Sequence, residues 1–522
     1  MLFNSYIFIF LFLPVTLAGF YLIGGRGHHR IAISWLVACS LFFYGWWNPA
    51  YLGLILASIL FNYAMGMVVS SPSTGRRKTM LGFGVAANLG LLGYYKYANF
   101  FVDNLNFALG SSYHLETIIL PLAISFFTFQ QIAYLVDAYR GETREYNFLH
   151  YCLFVTFFPQ LIAGPIVHHR EMLPQFARDV IYRLNHRNLA VGITIFSIGL
   201  FKKVVLADGV AVFANPVFSA AEAGVALSLF EAWGGALAYT LQIYFDFSGY
   251  SDMAIGLGRM FGIRLPLNFH SPLKAINIIE FWHRWHMTLS RFLRDYVYFS
   301  LGGNRRGQIR RYVNLLTTML LGGLWHGAGW PFLIWGAAHG TCLIINHGWH
   351  AVRRALGQDP EQSTRPGRLL SVGLTFIVVT VTFVIFRADS LSGSMQIVSA
   401  MFGGNGIVLP QGLAAAFSGI EPWLAAHGLI FGEHVPNELA SWSTAYEYIV
   451  VLMLIALFMP NTQQIMGDYE PAFDTYRGKL EMGSPAWPRF QVSTRWAVTV
   501  GLAFVIAIGS LTRVSEFLYF QF

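Results

Sequence analysis

Residues 312–346, YVNLLTTMLLGGLWHGAGWPFLIWGAAHGTCLIIN, form an apolar run that carries two histidines, His326 and His339. As a helix, residues 312–325 would rise roughly 20 Å, which is short of the ~30 Å hydrocarbon thickness of a bilayer. Glycines and a proline follow, so we expect the chain to turn and return along residues 332–346. The run predicts a helical hairpin that does not fully cross a membrane, with His326 at its tip.

The composition of the whole chain places this hairpin in a membrane protein. Of 522 residues, 55% are hydrophobic and 11% are charged, against roughly 25% charged residues in a soluble domain, and the mean hydropathy is +0.51. The apolar stretches approach the ~20 residues that a spanning helix needs, and none alternates with period two. They lie at about 2–23, 31–47, 50–69, 79–101, 117–136, 190–216, 225–245, 369–386, 444–459 and 495–512, with shorter ones near 151–167, 281–300, 313–325 and 330–346. We predict an all-α, polytopic transmembrane bundle that includes short or re-entrant helices.

The net charge of +8 reflects membrane topology rather than affinity for nucleic acid, because basic residues cluster in particular loops. The loops after the first and third spans are basic, so the positive-inside rule places them in the cytoplasm and the N-terminus outside. Basic loops at 168–187 and 353–368 are then cytoplasmic, whereas 103–116 and 403–443 contain no Lys or Arg and are external. The first span has no basic flank or cleavage site, so we expect a retained helix rather than a signal peptide.

No internal repeat or low-complexity linker divides the chain, so we predict one membrane domain over residues 1–522. Its catalytic core covers about 90–350, and an external insertion covers about 403–443. The insertion is either a solvated loop or a docking surface for an extracytoplasmic partner. Three cysteines, Cys39, Cys152 and Cys342, lie in apolar spans without a C-x-x-C pair, so we expect neither a disulfide nor a metal site from them.

Polar residues accumulate in 242–350. The stretch 242–260, QIYFDFSGYSDMAIGLGRM, places Asp246 and Asp252 at the end of an apolar span. Polar groups at such a depth must line a cavity or pair with another group. The two carboxylates could form an acid/base pair, or they could cap a broken helix or hold an arginine such as Arg259.

The next polar stretch is 280–304, EFWHRWHMTLSRFLRDYVYFSLGGN. As one helix it would align Trp282 and Trp285 on one face and His286 and Ser290 on another. This pattern is typical of an amphipathic element that lies at the membrane surface, where aromatic and arginine side chains anchor it. Its other charges include Arg284, Arg291, Arg294 and Asp295.

Buried histidines allow several functions. His283 and His286 could bind zinc together with His326 or His339, but no H-E-x-x-H motif or cysteine cluster supports a metal site. The histidines could also hold a haem between helices, or they could simply pack in the core. We favour a general base at His326, because imidazole titrates near neutral pH and acyl transfer to a hydroxyl needs a proton acceptor. No G-x-S-x-G elbow or cysteine nucleophile indicates a covalent intermediate. The further candidates for a substrate tunnel are Trp285, Trp325, Ser290, Asp295, His339, Asp246 and Asp252.

These stretches also carry a family resemblance. FWHRWHMTLSRFLRDYVYFSLGGNRRG (281–307) and LLGGLWHGAGWPFLIWGAAHG (320–340) closely resemble the bacterial membrane-bound O-acyltransferase family, and within it the alginate O-acetyltransferase subgroup. FFPQLIAGPIV (157–167) and YFDFSGYSDMAIGLG (244–258) extend the likeness, which weakens beyond about residue 390. One departure is His283, where the family more often has Arg, and this argues against an essential role for His283.

The resemblance implies a helical bundle around a tunnel through a thinned bacterial cytoplasmic (inner) membrane. It implies that His326 is the catalytic histidine and that His286 lines the same tunnel. The donor would be acetyl-CoA or another acetyl thioester on the cytoplasmic side, with no tightly bound cofactor. The acceptor would be an extracytoplasmic polysaccharide such as alginate, acetylated cellulose or peptidoglycan. A separate periplasmic acetyltransferase is the implied protein partner, and membrane lipids surround the chain.

Two further classes of protein share some of these features. A transporter or flippase for a polysaccharide precursor also has broken helices and intramembrane ionisable groups. It would, however, show inverted repeats and polar residues in both halves, whereas here the polar chemistry is concentrated in 242–350. A structural subunit of a polysaccharide-export complex is the third hypothesis.

Overall fold

The chain is described by a computed structural model that covers residues 1–71, 75–142, 147–360, 362–409, 411–427, 429–435, 441–473, 487–511 and 517–518. Secondary structure in these residues is almost entirely helical, which confirms the predicted fold class. Of the predicted external insertion, residues 410, 428 and 436–440 lie outside the described part.

The helices follow one another in chain order. Up to the middle of the chain they are α1 (Leu13–Gly24), α2 (His29–Gly45), α3 (Tyr51–Ser70), α4 (Arg77–Leu109), α5 (Ile124–Arg140), α6 (Phe148–Thr156), α7 (Phe158–Leu161), α8 (His169–Phe176), α9 (His186–Phe201), α10 (Asp208–Glu222) and α11 (Leu229–Met260). The second half contains α12 (Ile278–Arg284), α13 (Met287–Phe292), α14 (Gln308–His326), α15 (Trp330–Ala355), α16 (Arg365–Arg387), α17 (Leu391–Met401), α18 (Ala414–Phe417), α19 (Glu421–Ala426), α20 (Trp442–Phe458), α21 (Thr462–Ile465) and α22 (Thr494–Gly509).

Shorter elements complete the described chain. Three π-helical turns lie at Phe8–Phe12, Lys202–Ala207 and Leu293–Tyr298. Single 3₁₀ turns lie at Asp179–Tyr182, Pro272–Lys274, Gln411–Leu413 and Gly467–Tyr469. Two three-residue strands, β1 (Ile407–Leu409) and β2 (Leu429–Phe431), pair in parallel with Ile407 opposite Leu429.

Three described helices are long and apolar enough to cross a membrane: Tyr51–Ser70, His186–Glu222 and Arg365–Arg387. Only 33% of the apolar window is buried in the first and the third of them. Leu56 and Leu60 of α3 are among the exposed large side chains. A helix whose apolar residues point outward as well as inward is typical of a membrane span, so these helices support the membrane assignment.

The chain forms two compact units. The first comprises the described residues of 1–201, 248–268 and 462–521, and the second comprises the described residues of 202–247 and 269–461. In the first unit α9 crosses the C-terminal part of α11 through glycines. A Cβ atom on Gly192 would lie 2.6 Å from the carbonyl oxygen of Gly256, and one on Gly199 would lie 2.6 Å from that of Gly249. Small residues of this kind let two membrane helices approach closely.

Two expectations about local structure are wrong. Residues 242–260 do not interrupt a helix, because α11 continues without a break from Leu229 to Met260. Residues 280–304, in contrast, do not form one helix. Helix α12 ends at Arg284, His286 adopts a left-handed backbone with φ 42°, and α13 begins at Met287. Trp282 and Trp285 are 6% and 4% exposed, so they pack inside the protein instead of forming a membrane-surface face.

Candidate active site

The predicted hairpin is formed by α14 and α15. Helix α14 ends at His326, the chain turns at residues 327–329, and α15 returns from Trp330. The two helices are in backbone contact, because a Cβ atom on Gly323 or Gly336 would collide with backbone atoms of the opposite helix. This close pairing fixes His326 at the tip of the hairpin, where it is 5% exposed.

Aromatic rings enclose the His326 imidazole. The centroids of Trp335 and Phe386 each lie 5.1 Å from its centroid, both in edge-on orientations, and that of Trp325 lies at 4.9 Å. Such a shell excludes water and lowers the local dielectric constant, which strengthens electrostatic interactions with a reacting group.

A second imidazole shares this enclosure. His286 is fully buried at the N-cap of α13. Its ring centroid lies 6.3 Å from that of His326 and 4.8 Å from that of Phe247. The structure therefore brings together the two histidines that the sequence predicts, from segments forty residues apart in the chain.

His339 lies further along the hairpin, on α15, four residues after Trp335. Trp282 donates from Nε1 to Nδ1 of His339 at 3.3 Å, and the ring of Trp335 contacts that of His339 in a tilted arrangement, at 4.7 Å between centroids. Because Nδ1 accepts, the neutral ring carries its proton on Nε2. That atom is buried and has no hydrogen-bond partner among the described residues. His339 thus supports Trp335, which itself contacts His326.

A cavity of about 370 Å³ lies next to Trp282, the hydrogen-bond partner of His339. Trp282 and Ser290 form part of its wall. Its polar lining includes the guanidinium groups of Arg294 and Arg311, and Nη2 of Arg311 lies 3.0 Å from Nδ1 of His347. Besides Ser290, the other polar lining residues are His283, Tyr298 and Thr318. A cavity of this size and charge suits a ligand with anionic groups.

The remaining predicted tunnel residues have different surroundings. Asp295 accepts from Arg294 at 2.7 Å, beside the cavity wall. Asp252 accepts from Thr462 in the first unit at 2.6 Å. Asp246 lies in the second unit and pairs with a lysine. The described contacts of Asp246 and Asp252 are therefore separate, and they give no support to an acid/base pair.

Asp246 belongs to a buried triad of charges. Lys203 Nζ lies 2.5 Å from Asp246 and 2.8 Å from Asp208, and all three side chains are at most 6% exposed. Lys203 and Asp208 are five residues apart, a spacing that does not align two side chains on an α-helix. The π-helical turn at Lys202–Ala207 changes that alignment, because its hydrogen bonds join residues five apart.

Several of the residues described above were not among the predicted site residues. Trp335 has a sequence signal, since it precedes His339 by four residues on α15. Lys203 has a weaker one, because it is a charge in an otherwise apolar span. Phe386 has none, since it is one phenylalanine of an apolar helix that tertiary packing brings to His326. Among the described residues, no three His, Cys, Asp or Glu side chains converge on a point that could hold a metal ion.

Comparison with known proteins identifies the family of this chain. The model of MBOAT, the membrane-bound O-acyltransferase family, matches residues 136–363, which include His286, His326 and His339. A peptidoglycan O-acetyltransferase of Helicobacter pylori is 45% identical over 438 residues, covering 78% of this chain and 81% of that protein.

Two further relatives fit the same picture. A protein named probable alginate O-acetylase from Azotobacter vinelandii is 44% identical and covers 77% of this chain and 78% of its own length. A teichoic acid D-alanyltransferase of Streptococcus thermophilus is 26% identical over 51% of this chain and 68% of its own. The family predicted from residues 281–307 and 320–340 is thereby confirmed: the chain is an acyltransferase and belongs to the membrane-bound O-acyltransferase family.

Proposed function

We propose that this acyltransferase moves an acetyl group from a cytoplasmic thioester to a hydroxyl of an extracytoplasmic polysaccharide, with His326 as the general base. The observation that carries the proposal is the position of His326 at the tip of the hairpin. There its ring is enclosed by Trp325, Trp335 and Phe386 and lies 6.3 Å from that of His286.

The proposed acyl transfer requires only a few side chains of the protein. His326 removes the hydroxyl proton as the acceptor oxygen attacks the thioester carbonyl, and the carbon–sulfur bond breaks. The protonated imidazole then returns its proton to the leaving thiolate, so charge and protons balance. His286 positions donor or acceptor from the opposite side of the enclosure. The aromatic shell protects the thioester from water.

The basic cavity supports a site for the donor. Arg294, Arg311 and His347 can complement the phosphates of a donor such as acetyl-CoA, and Trp282 separates this cavity from His339. The relatives named for alginate and peptidoglycan support an acidic or amino-sugar polysaccharide as the acceptor. In this proposal the protein lies in the bacterial inner membrane, and a periplasmic acetyltransferase partner docks on its outer side.

The role of His326 is tested by substitution in cells. We expect His326→Ala to express stably and to lower polymer acetylation about 10²–10⁴-fold, the usual contribution of a general base. The measurement is mass spectrometry of acetyl groups on secreted and cell-wall polysaccharide. His114→Ala, an exposed histidine in the loop after α4, is the control. Normal acetylation in the His326 variant would overturn the proposal and favour a structural or transport role.

The donor site is tested separately with purified protein and acetyl-CoA. We expect Arg311→Gln to raise KM for acetyl-CoA about tenfold with little change in kcat, because a charge-assisted hydrogen bond to a phosphate contributes roughly 1.5–3 kcal/mol. The neighbouring Arg310→Gln is the matched control, since Arg310 is exposed and does not line the cavity. Equal KM values for the two variants would place the donor elsewhere.

A further inference from the structure

The first unit contains a second groove, between α9 and α22. Its volume is about 340 Å³, and it is lined mainly by apolar side chains. The lining includes Ala190, Ile193 and Ser197 of α9, and Trp496, Val500 and Phe504 of α22. Both helices are apolar, so in a membrane we expect the hydrocarbon chains of lipids to contact the groove.

The two helices begin with an unusual charge pattern. Arg187 is the second residue of α9 and Arg495 is the second residue of α22, and neither first turn contains an acidic residue. The N-terminus of a helix carries a partial positive charge, so a cation there is unfavourable and an anion is favourable. Ala190 in the first part of α9 and Ser493 at the N-cap of α22 both line the groove, so both helix N-termini lie beside it.

Aromatic contacts connect Arg187 to the groove. Its guanidinium lies 4.8 Å from the centroid of the Tyr469 ring. Tyr469 is 5.3 Å from Phe490, and Phe490 is 5.5 Å from Trp496, between ring centroids. Phe490 and Trp496 both line the groove. Arg187 is therefore connected to the groove by a continuous series of ring contacts. The end of the apolar groove next to Arg187 is basic.

A buried arginine, Arg259, lies next to Tyr469, the residue that Arg187 contacts. Arg259 is 6% exposed and donates from Nη2 to the carbonyl oxygen of Tyr469 at 3.3 Å. Its Nε is buried without a hydrogen-bond partner among the described residues. Arg187 and Arg264 are close enough for their charges to act on it. The nearby acidic residues are already bound, Glu470 to Arg264 at 2.6 Å and Asp468 to Arg489, so positive charge is in excess.

We infer that this groove binds an anionic phospholipid of the surrounding membrane. The phosphate lies between Arg187 and Arg495 at the two helix N-termini, and an acyl chain occupies the apolar groove. A basic pocket between membrane helices is the arrangement that recognises anionic headgroups. The apolar lining distinguishes a lipid from a free phosphate, and the excess of arginine distinguishes an anionic lipid from a zwitterionic one.

Thermal unfolding of the purified full-length protein in detergent tests this site. Titration with dioleoylphosphatidylglycerol is expected to raise the melting temperature, and titration with dioleoylphosphatidylcholine or glycerol phosphate is not. Arg187→Gln combined with Arg495→Gln should lower the affinity roughly 30-fold, about 2 kcal/mol at 1.4 kcal/mol per factor of ten. Arg365→Gln, in the first turn of α16, is the control and should behave as wild type.

A second variant tests the groove itself. Gly501 lines it, and a Cβ atom there would meet no other atom within 4 Å. Gly501→Leu should fold normally, fill the groove and weaken the response to phosphatidylglycerol. Unchanged binding in this variant, or in the double arginine variant, would overturn the inference. Stabilisation by glycerol phosphate alone would indicate a free-anion site, and equal stabilisation by both lipids would exclude recognition of charge. Either result would also overturn it.

Discussion

His286 combines a fully buried ring with a left-handed backbone, at φ 42° and ψ 50°. This conformation costs about 1–2 kcal/mol for most residues, and Asn tolerates it better than Ala. We predict that His286→Asn unfolds with a free energy about 1 kcal/mol higher than that of His286→Ala, while both lose acetyl transfer. Chemical denaturation and the acetylation assay measure the two effects. Identical stabilities would contradict the argument from backbone strain, and full activity would leave His286 a packing residue.

Lys203 is the partner of two buried carboxylates, Asp208 and Asp246. Removing one member of a buried ion pair leaves an uncompensated charge, which typically costs about 3–5 kcal/mol. We predict that Lys203→Met lowers the free energy of unfolding by about that amount. Lys202→Met is the matched control, because Lys202 is only half-buried and lies 5.9 Å from the centroid of the Tyr244 ring. The prediction is wrong if the two variants unfold alike.

Single residues differ in how well the sequence predicts their surroundings. His326 and His286 could be found because ionisable groups are rare in apolar segments and stand out there. The partner of Asp246 could not, because Lys203 lies more than forty residues away and only tertiary packing selects it. Arg259, one of the partners considered for the two carboxylates, donates to the carbonyl oxygen of Tyr469.

Gly323 and Gly336 allow α14 and α15 to pack in backbone contact. The position of the Cβ atom of Gly336 is occupied by the backbone of α14. We predict that Gly336→Ala separates the helices, lowers the melting temperature and displaces His326, so that activity falls as well. Gly348→Ala on the same helix is the control, since its Cβ would meet nothing within 4 Å. It should stabilise the helix by up to about 1 kcal/mol, because alanine favours the helix. Parallel effects of the two substitutions would refute a packing role.

The bounds of a helix can be predicted where the length of an apolar stretch determines them. They are harder to predict where a single backbone angle determines them. The hairpin follows from two apolar arms around a glycine-rich turn, and it forms where the sequence predicts it. The break between α12 and α13 has neither glycine nor proline to mark it. It depends on a left-handed histidine whose strain is compensated by burial of its ring, which periodicity cannot indicate.

The orientation of the whole chain remains a prediction from its charges. Ser112 lies in a loop without Lys or Arg, and Ser363 lies in a basic loop; both are exposed. In a variant without Cys39, Cys152 and Cys342, we expect Ser112→Cys to react with an impermeant maleimide added to intact cells with a permeable outer membrane. Ser363→Cys should react only after lysis. The reverse pattern would place the N-terminus in the cytoplasm.

The π-helical turn at Lys202–Ala207 makes this protein sensitive to a kind of mutation that a hydropathy profile does not detect. Substitutions that favour regular α-helix over the turn would leave the span just as apolar and just as long. With the number of residues unchanged, conversion of the turn to ordinary α-helix would rotate the residues after it by about 100° relative to those before it, the rotation of one residue. Asp208, five residues after Lys203, would then leave the face that carries Lys203. A substitution that preserves the membrane span would in this way separate its buried charges.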